Sequence, residues 1–94
     1  MARSGAGNGK AGSVEVARRA VRQVAALTGR PVEGVLGMRR GEDGWEVTLE
    51  LLELRRVPET TDVLAAYEVS LDDRGELREY RRVRRYARSQ TEEA

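Results

Sequence analysis

The sequence of 94 residues contains neither cysteine nor histidine. Without cysteine there is no disulfide and no thiolate nucleophile, and without either residue the common ligands of zinc are missing. Histidine is also the side chain that most often transfers protons near pH 7. These absences exclude most familiar catalytic sites, so we expect no enzymatic activity, no small-molecule substrate, no cofactor and no metal site.

Long hydrophobic runs and an excess of one charge are missing as well. No apolar run approaches the ~20 residues that a membrane-spanning helix needs, so we expect no membrane span, no signal peptide and a cytoplasmic location. The 17 basic and 16 acidic residues leave a formal net charge of +1. That is too little for a whole-molecule field that attracts nucleic acid or an anionic membrane, so any electrostatic partner must be recognised locally.

Aromatic residues are few, one Trp and three Tyr, whereas 39% of the residues are hydrophobic and 35% are charged. A chain of this length forms one domain, which buries only about 60–65% of the surface that its unfolded state exposes. We therefore expect a small aliphatic core under a heavily charged surface, with a narrow margin of stability.

The chain divides into a tail, one domain and a short end. Residues 1–12 are rich in glycine and alanine and have nothing to bury, which predicts a disordered tail. The domain is predicted to cover residues 13–88, and residues 89–94 to form a frayed C-terminus.

The hydrophobic pattern of the domain predicts one helix and four strands. Apolar residues at helical spacing predict a helix over about residues 14–28, with Ser13 as its N-cap and Gly29 at its end. Strands are predicted over about residues 32–40, 45–56, 63–71 and 77–85. This order predicts an α+β fold in which the N-terminal helix packs on a four-stranded, mainly antiparallel sheet.

The second strand is the most regular of the four. Trp45, Val47, Leu49 and Leu51 alternate with polar residues, as in a strand with one buried face. The apolar positions change parity after Leu51, which predicts a bulge or a far end that is covered on both faces. The third strand has an apolar start that a helix would also allow, but its regular alternation favours a strand.

Charged residues recur on the predicted strands, where acidic residues are unfavourable. In one interpretation, glutamates pair with arginines across neighbouring strands and protect the sheet edges. The glutamates are Glu46, Glu50, Glu53 and Glu68, and the arginines are Arg81, Arg82, Arg84 and Arg85.

In the other interpretation, arginines and tyrosines near the C-terminus form a docking site for an acidic or amphipathic segment of a partner. Arginine and tyrosine are enriched at binding hot spots, which favours this function. The candidate partner-binding residues are Arg56, Tyr80, Arg81, Arg82, Arg84, Arg85, Tyr86 and Arg88. The two interpretations can share residues.

Three further features have competing interpretations. Trp45 is expected to anchor the core as the first inward residue of its strand, or else to contact a partner. Pro58 is expected to end the second strand. Glu50 and Glu53 suggest a catalytic carboxylate pair, but residues three apart on a strand point to opposite faces, and no base or nucleophile accompanies them.

About half of the chain resembles the gas vesicle protein O family. The shared pattern consists of Gly44, Trp45, Val47, Glu50, Glu53, Arg56, Pro58, Asp62, Leu64, Ala65, Tyr67, Glu68, Val69, Leu71, Asp72, Gly75, Leu77, Tyr80, Arg82, Arg85, Tyr86 and Arg88. The resemblance implies a non-enzymatic accessory protein for gas vesicle assembly or its regulation. It also implies other gas vesicle proteins as partners, a location in the cytoplasm or at gas vesicles, and no catalytic site.

A small nucleic-acid-binding regulator is the alternative. Residues 78–88 contain six arginines and two tyrosines, and basic grooves with interleaved aromatic residues bind single strands. The twelve acidic residues between Glu42 and Glu79 argue against this function.

Overall fold

The structure, a computed structural model, describes residues 11–92. One helix, α1, is followed by strands β1 to β4, with a short 3-10 turn after β2 and another after β4. Their bounds are Ser13–Thr28 (α1), Val32–Arg40 (β1), Gly44–Leu54 (β2), Glu59–Thr61 (first turn), Val63–Asp72 (β3), Leu77–Ala87 (β4) and Arg88–Glu92 (second turn). The predicted α+β fold, one helix on a four-stranded antiparallel sheet, is confirmed.

Helix α1 begins one residue earlier than predicted. Gly12 is its N-cap and Ser13 is already helical, so the prediction of Ser13 as N-cap is wrong. The reason is that the carbonyl of Gly12 accepts the first helical hydrogen bond, from the N–H of Val16 at 2.9 Å. At the other end, Gly29 adopts a left-handed φ of 71° and donates to the carbonyl of Ala25 at 2.9 Å, which confirms the predicted glycine stop.

The two ends of the chain are described only in part. Most of the predicted tail, residues 1–10, lies outside the described residues. Ala11 is partly buried against the core and donates its backbone N–H to the carbonyl of Asp73 at 3.1 Å. The second 3-10 turn occupies the start of the segment that we expected to fray, and residues 93–94 lie outside the described residues.

The sheet is a meander in the order β1-β2-β3-β4, with β2 and β3 in its centre. Residues paired across neighbouring strands share a face, so Trp45 with Leu71 and Leu49 with Tyr67 lie on the same side. Helix α1 packs on this side, which we call the helix face. The opposite side of the sheet is the open face. The buried cluster of the helix face consists of Val16, Ala20, Val24, Val47, Leu49, Leu51, Ala65, Tyr67, Val69 and Leu71.

The far end of β2 departs from regular alternation, as predicted. The register with β3 shifts between Leu52 and Leu54, which confirms the bulge. Both faces are covered here, because Leu52 and Leu64 are 4% and 1% exposed although they lie on the open face. β2 ends at Leu54, two residues before its predicted end, since the backbone N–H of Arg56 donates to the side chain of Asp62 instead of a neighbouring strand.

Candidate partner-binding surface

Strand β4 is an edge strand, and its candidate residues divide between the two faces of the sheet. Tyr80, Arg82 and Arg85 lie opposite helix-facing residues of β3, whereas Arg81, Arg84 and Tyr86 lie opposite open-face residues. The register shifts between Arg82 and Arg84, with Val83 as the additional residue. Because of this shift, Tyr80 and Tyr86 lie on opposite faces and do not contribute to one common patch.

On the helix face, a buried carboxylate binds two of the candidate arginines. The side chain of Glu53 is 4% exposed, and its Oε1 lies 3.1 Å from Nη1 of Arg82 and 3.0 Å from Nε of Arg85. Its Oε2 accepts a hydrogen bond from the hydroxyl of Tyr67 at 2.9 Å. Burial alone would raise the pKa of Glu53, but this hydrogen bond and the surrounding arginines lower it below its usual range. Burial and the same carboxylate raise the pKa of Tyr67.

On the open face, a tyrosine takes the place of an arginine as the partner of a glutamate. The hydroxyl of Tyr86 donates to Oε2 of Glu50 at 2.8 Å, and the guanidinium of Arg84 lies 4.9 Å from the centre of the Tyr86 ring. Burial and the neighbouring carboxylate raise the pKa of Tyr86 to about 12. Arg81 contacts Glu68 at 2.9 Å, yet its side chain remains 71% exposed.

Arg88 connects three segments of the chain. Its guanidinium donates to both carboxylate oxygens of Glu33, at 2.8 and 3.0 Å, and to Oδ2 of Asp62 at 3.0 Å. Its backbone N–H donates to the carbonyl of Asp62 at 2.8 Å. The N–H of Arg56, 2.7 Å from Oδ1 of Asp62, and the guanidinium of Arg88 lower the pKa of that carboxyl. Arg88 therefore stabilises the domain, whereas the side chain of Arg56 is exposed.

The remaining predicted residues have mixed environments. Tyr80 is 36% exposed, with its ring centre 6.2 Å from that of Tyr67. Trp45 packs, partly buried, against the core, and the guanidinium of Arg40 lies 5.1 Å from its ring centre. Pro58 lies in the exposed loop after β2 and directly precedes the first 3-10 turn.

Pairing within the domain accounts for most of the arginines on β4. Glu53 and Glu68 contact arginines of β4, as the first interpretation expects. Glu50 contacts Tyr86 instead, and Glu46 contacts Arg39 of β1 at 3.6 Å. Glu50 and Glu53 point to opposite faces, as predicted, and no group of three carboxylates among the described side chains is placed to bind a metal ion.

Two arginines of α1 were not among the predicted site residues. Arg18 and Arg22 line a groove between α1 and β1, together with Ala17, Val21 and Val35. The available signal in the sequence is a pair of arginines four residues apart, beside an apolar helical stripe.

Comparison with known proteins agrees with the resemblance. The family model described as gas vesicle synthesis protein GvpO matches residues 2–92. Gas vesicle protein O from Streptomyces sp. (strain CB03234) is 52% identical over 79 residues, which is 84% of this chain and 62% of the relative. Gas vesicle protein O1 from Halobacterium salinarum is 33% identical over 65% of this chain and 51% of the relative. Gas vesicle protein O from Haloferax mediterranei is 36% identical over 65% of this chain and 44% of the relative.

The chain spans between 44% and 62% of the length of these relatives. No solved structure matches it significantly. Within residues 11–92, no helix has both the length and the apolar character needed to cross a bilayer. Because the family model covers nearly the whole sequence, the chain belongs to the gas vesicle synthesis protein GvpO family.

Proposed function

We propose that the chain is a non-enzymatic accessory protein in gas vesicle assembly or its regulation, and that it acts by binding other gas vesicle proteins. Membership of the GvpO family supports the link to gas vesicles. The chain is proposed to act in the cytoplasm or at the gas vesicle surface.

The binding function is supported mainly by the outer edge of β4, which is unpaired within the described residues. Strand β3 pairs with one side of β4, and no strand of residues 11–92 pairs with the other. Tyr80, Arg81 and Arg84 are exposed on this strand. Side chains of these types supply much of the binding energy at protein interfaces, because they combine a large contact area with hydrogen bonding. We therefore assign Arg81 and Arg84, which lie together on the open face, to the partner-binding surface, and Tyr80 lies on the helix face of the same edge strand.

The ionisable groups of the domain support a non-enzymatic function. A general acid or base works best when its pKa lies near the operating pH. Among the described residues, carboxyl groups with shifted pKa values are shifted down and tyrosines are shifted up, away from neutrality. These residues are Glu33, Glu53, Asp62, Asp72, Tyr67 and Tyr86. Each keeps its ordinary charge at pH 7, as expected for groups that stabilise a fold.

Charge pairing on β4 also weakens the case for nucleic-acid binding. Arg81, Arg82 and Arg85 each contact a carboxylate, which would compete with phosphate groups for the same guanidinium. Affinity for single- and double-stranded DNA over a salt series tests this alternative, since phosphate contacts weaken steeply with salt. Tight, salt-sensitive binding at physiological salt would favour the nucleic-acid function over the proposed one.

The proposed function is tested by co-purification. A tagged chain is expressed with the other gas vesicle proteins, and the captured proteins and the vesicles are quantified. Arg81→Glu with Arg84→Glu is the perturbing variant, because both side chains are exposed. We expect capture of gas vesicle proteins by the original chain, and loss of capture and of vesicles with the variant.

The control variant is Arg55→Glu with Arg74→Glu. It makes the same change in net charge at exposed arginines that form no ion pair among the described side chains. Circular dichroism establishes that both variants fold. Capture of no gas vesicle protein by the original chain would overturn the proposed function, and equal effects of the two folded variants would overturn the assignment of the surface.

A further inference from the structure

An open groove lies between α1 and the edge strand β1. It is shallow, with a volume of about 510 Å³ open to solvent, and is lined by Ala17, Arg18, Val21, Arg22 and Val35. Val35 is 44% exposed. Apolar surface is thus accessible at a place distant from β4, since β1 and β4 are opposite edges of the sheet.

The groove exists because α1 packs on the centre of the sheet. Its buried residues Val16, Ala20 and Val24 contact the core formed with β2 and β3, while Ala17 and Val21 are only partly buried on the side towards β1. Val14 precedes Ala17 by three residues and Val21 by seven, so it lies on the same stripe of the helix, and it is 65% exposed. The stripe therefore extends the apolar surface of the groove by one turn.

The rim of the groove carries uncompensated positive charge. Arg18 and Arg22 are exposed and form no hydrogen bond or ion pair with another described side chain. Arg19, between them, contacts both Glu15 and Glu76. Two arginines at positions i and i+4 repel each other on a helix, so the fold itself gains nothing from this pair.

We infer that this groove binds the apolar face of an acidic amphipathic helix of a partner protein. A helix laid in an apolar groove buries a stripe of its own residues at the same spacing as the stripe on α1. Acidic residues beside that stripe would reach Arg18 and Arg22 and form charge-assisted hydrogen bonds. The inference rests on the proposed function in one respect: the partner is a protein.

Other occupants fit the charge of the rim less well. In a symmetric dimer each surface meets its own copy, so Arg18 and Arg22 would face the same arginines of the second chain. Residues 1–10 of this chain carry Arg3 and Lys10 and no acidic residue. Of these occupants, only an acidic segment of another protein complements the two arginines.

The test uses the full-length chain and two synthetic helical peptides that are identical in their leucine stripe. One peptide has glutamate at the flanking positions and the other has lysine. Binding is measured by fluorescence anisotropy, and amide chemical shifts locate the site. We expect the acidic peptide to bind at least about tenfold more tightly than the basic one, with shifts at Ala17, Val21 and Val35 and none at Ser70 on the open face.

Variants of the chain test the two components of the site. Arg18→Glu with Arg22→Glu should weaken binding of the acidic peptide about tenfold or more, whereas Arg18→Lys with Arg22→Lys should change it only a few-fold. Val35→Asp should weaken it through the apolar surface. Circular dichroism establishes that each variant folds.

Several results would overturn the inference. They are equal binding of both peptides, no binding of the acidic peptide, chemical shifts away from the groove, or self-association through the groove in sedimentation experiments. The measurement needs no other gas vesicle protein, so its failure leaves the co-purification result intact. Conversely, failure of co-purification does not affect the peptide measurement.

Discussion

Replacing Glu53 by glutamine should destabilise the domain, although the two side chains have nearly the same size and shape. Glutamine keeps an acceptor for the hydroxyl of Tyr67 but loses the charge that binds Arg82 and Arg85. A neutral acceptor is weaker than a charged one by about 1 kcal/mol. Each half-exposed arginine pair contributes at most about 1 kcal/mol, and relief of the buried charge offsets part of the loss. We expect the free energy of unfolding to fall by about 1–2 kcal/mol.

Urea denaturation, followed by the fluorescence of Trp45, measures this change. The transition midpoint should fall while the slope stays the same, because the surface exposed on unfolding is unchanged. For a domain of this size, each 1 kcal/mol corresponds to a melting temperature lower by about 4–8 °C. Glu68→Gln is the control, since it breaks an exposed pair with Arg81 and should cost less than about 1 kcal/mol. Equal losses in the two variants would refute the reasoning.

The same contacts predict how stability depends on pH. The pKa of Glu53 is lower in the folded chain than its ordinary value of about 4.3, so its contribution is complete above that value and is lost as pH falls through the folded pKa. The difference in unfolding free energy between the original chain and Glu53→Gln should therefore shrink on acidification below about pH 4. A difference that stays constant down to acid unfolding would contradict the assigned contacts.

Two further predictions concern the glycines of the β1–β2 hairpin and a tyrosine on the open face. Gly44→Ala should lower the free energy of unfolding, measured in urea, by about 1–3 kcal/mol, because a Cβ there would overlap the carbonyl oxygen of Leu71. Gly41→Ala is the control and should cost less than about 0.5 kcal/mol, since its Cβ would lie 3.6 Å from the nearest atom, the carbonyl oxygen of Gly44. In an alkaline titration of tyrosinate absorbance, one tyrosine should ionise at about 12, and Glu50→Gln should lower that value. Tyr86→Phe should abolish this transition, and its persistence would show that the assignment is wrong.

The central strands could be predicted from the sequence because one of their faces is buried. Along β2, moving the pairing by one residue would expose Val47 and Leu49 and bury the acidic residues between them, so the alternation fixes the orientation. The change of parity after Leu51 predicted a bulge or a far end covered on both faces, and both are present: the register shifts after Leu52, and Leu52 is buried on the open face. The start of α1 was missed because Ser13 is a good cap in general, but Gly12 supplies the first acceptor.

The environment of β4 could not be predicted in the same way. Its residues are mostly exposed, so no hydrophobic pattern fixes the register, and the shift at Val83 is not visible in a run of arginines. Strict alternation would have placed Tyr80 and Tyr86 on one face. The contact of Glu53 with Arg85 is equally hidden, because without the shift at Val83 the side chain of Arg85 would lie on the open face.

Once the structure is known, the many arginines in and beside β4 are weaker evidence for a partner than the sequence alone indicated. Arg82, Arg85 and Arg88 contact carboxylates that are buried or partly buried, and replacing them would disturb the fold as well as any interface. An exposed arginine that no carboxylate of the described residues contacts is stronger evidence for a partner, because it contributes no ion pair to the fold. By this criterion, and because they line an apolar groove, Arg18 and Arg22 are better candidates for recognition than most of the arginines of β4. A charge-reversal scan should then separate two groups: variants of Arg82, Arg85 and Arg88 that lose stability and partner capture together, and variants of Arg18 and Arg22 that lose capture alone.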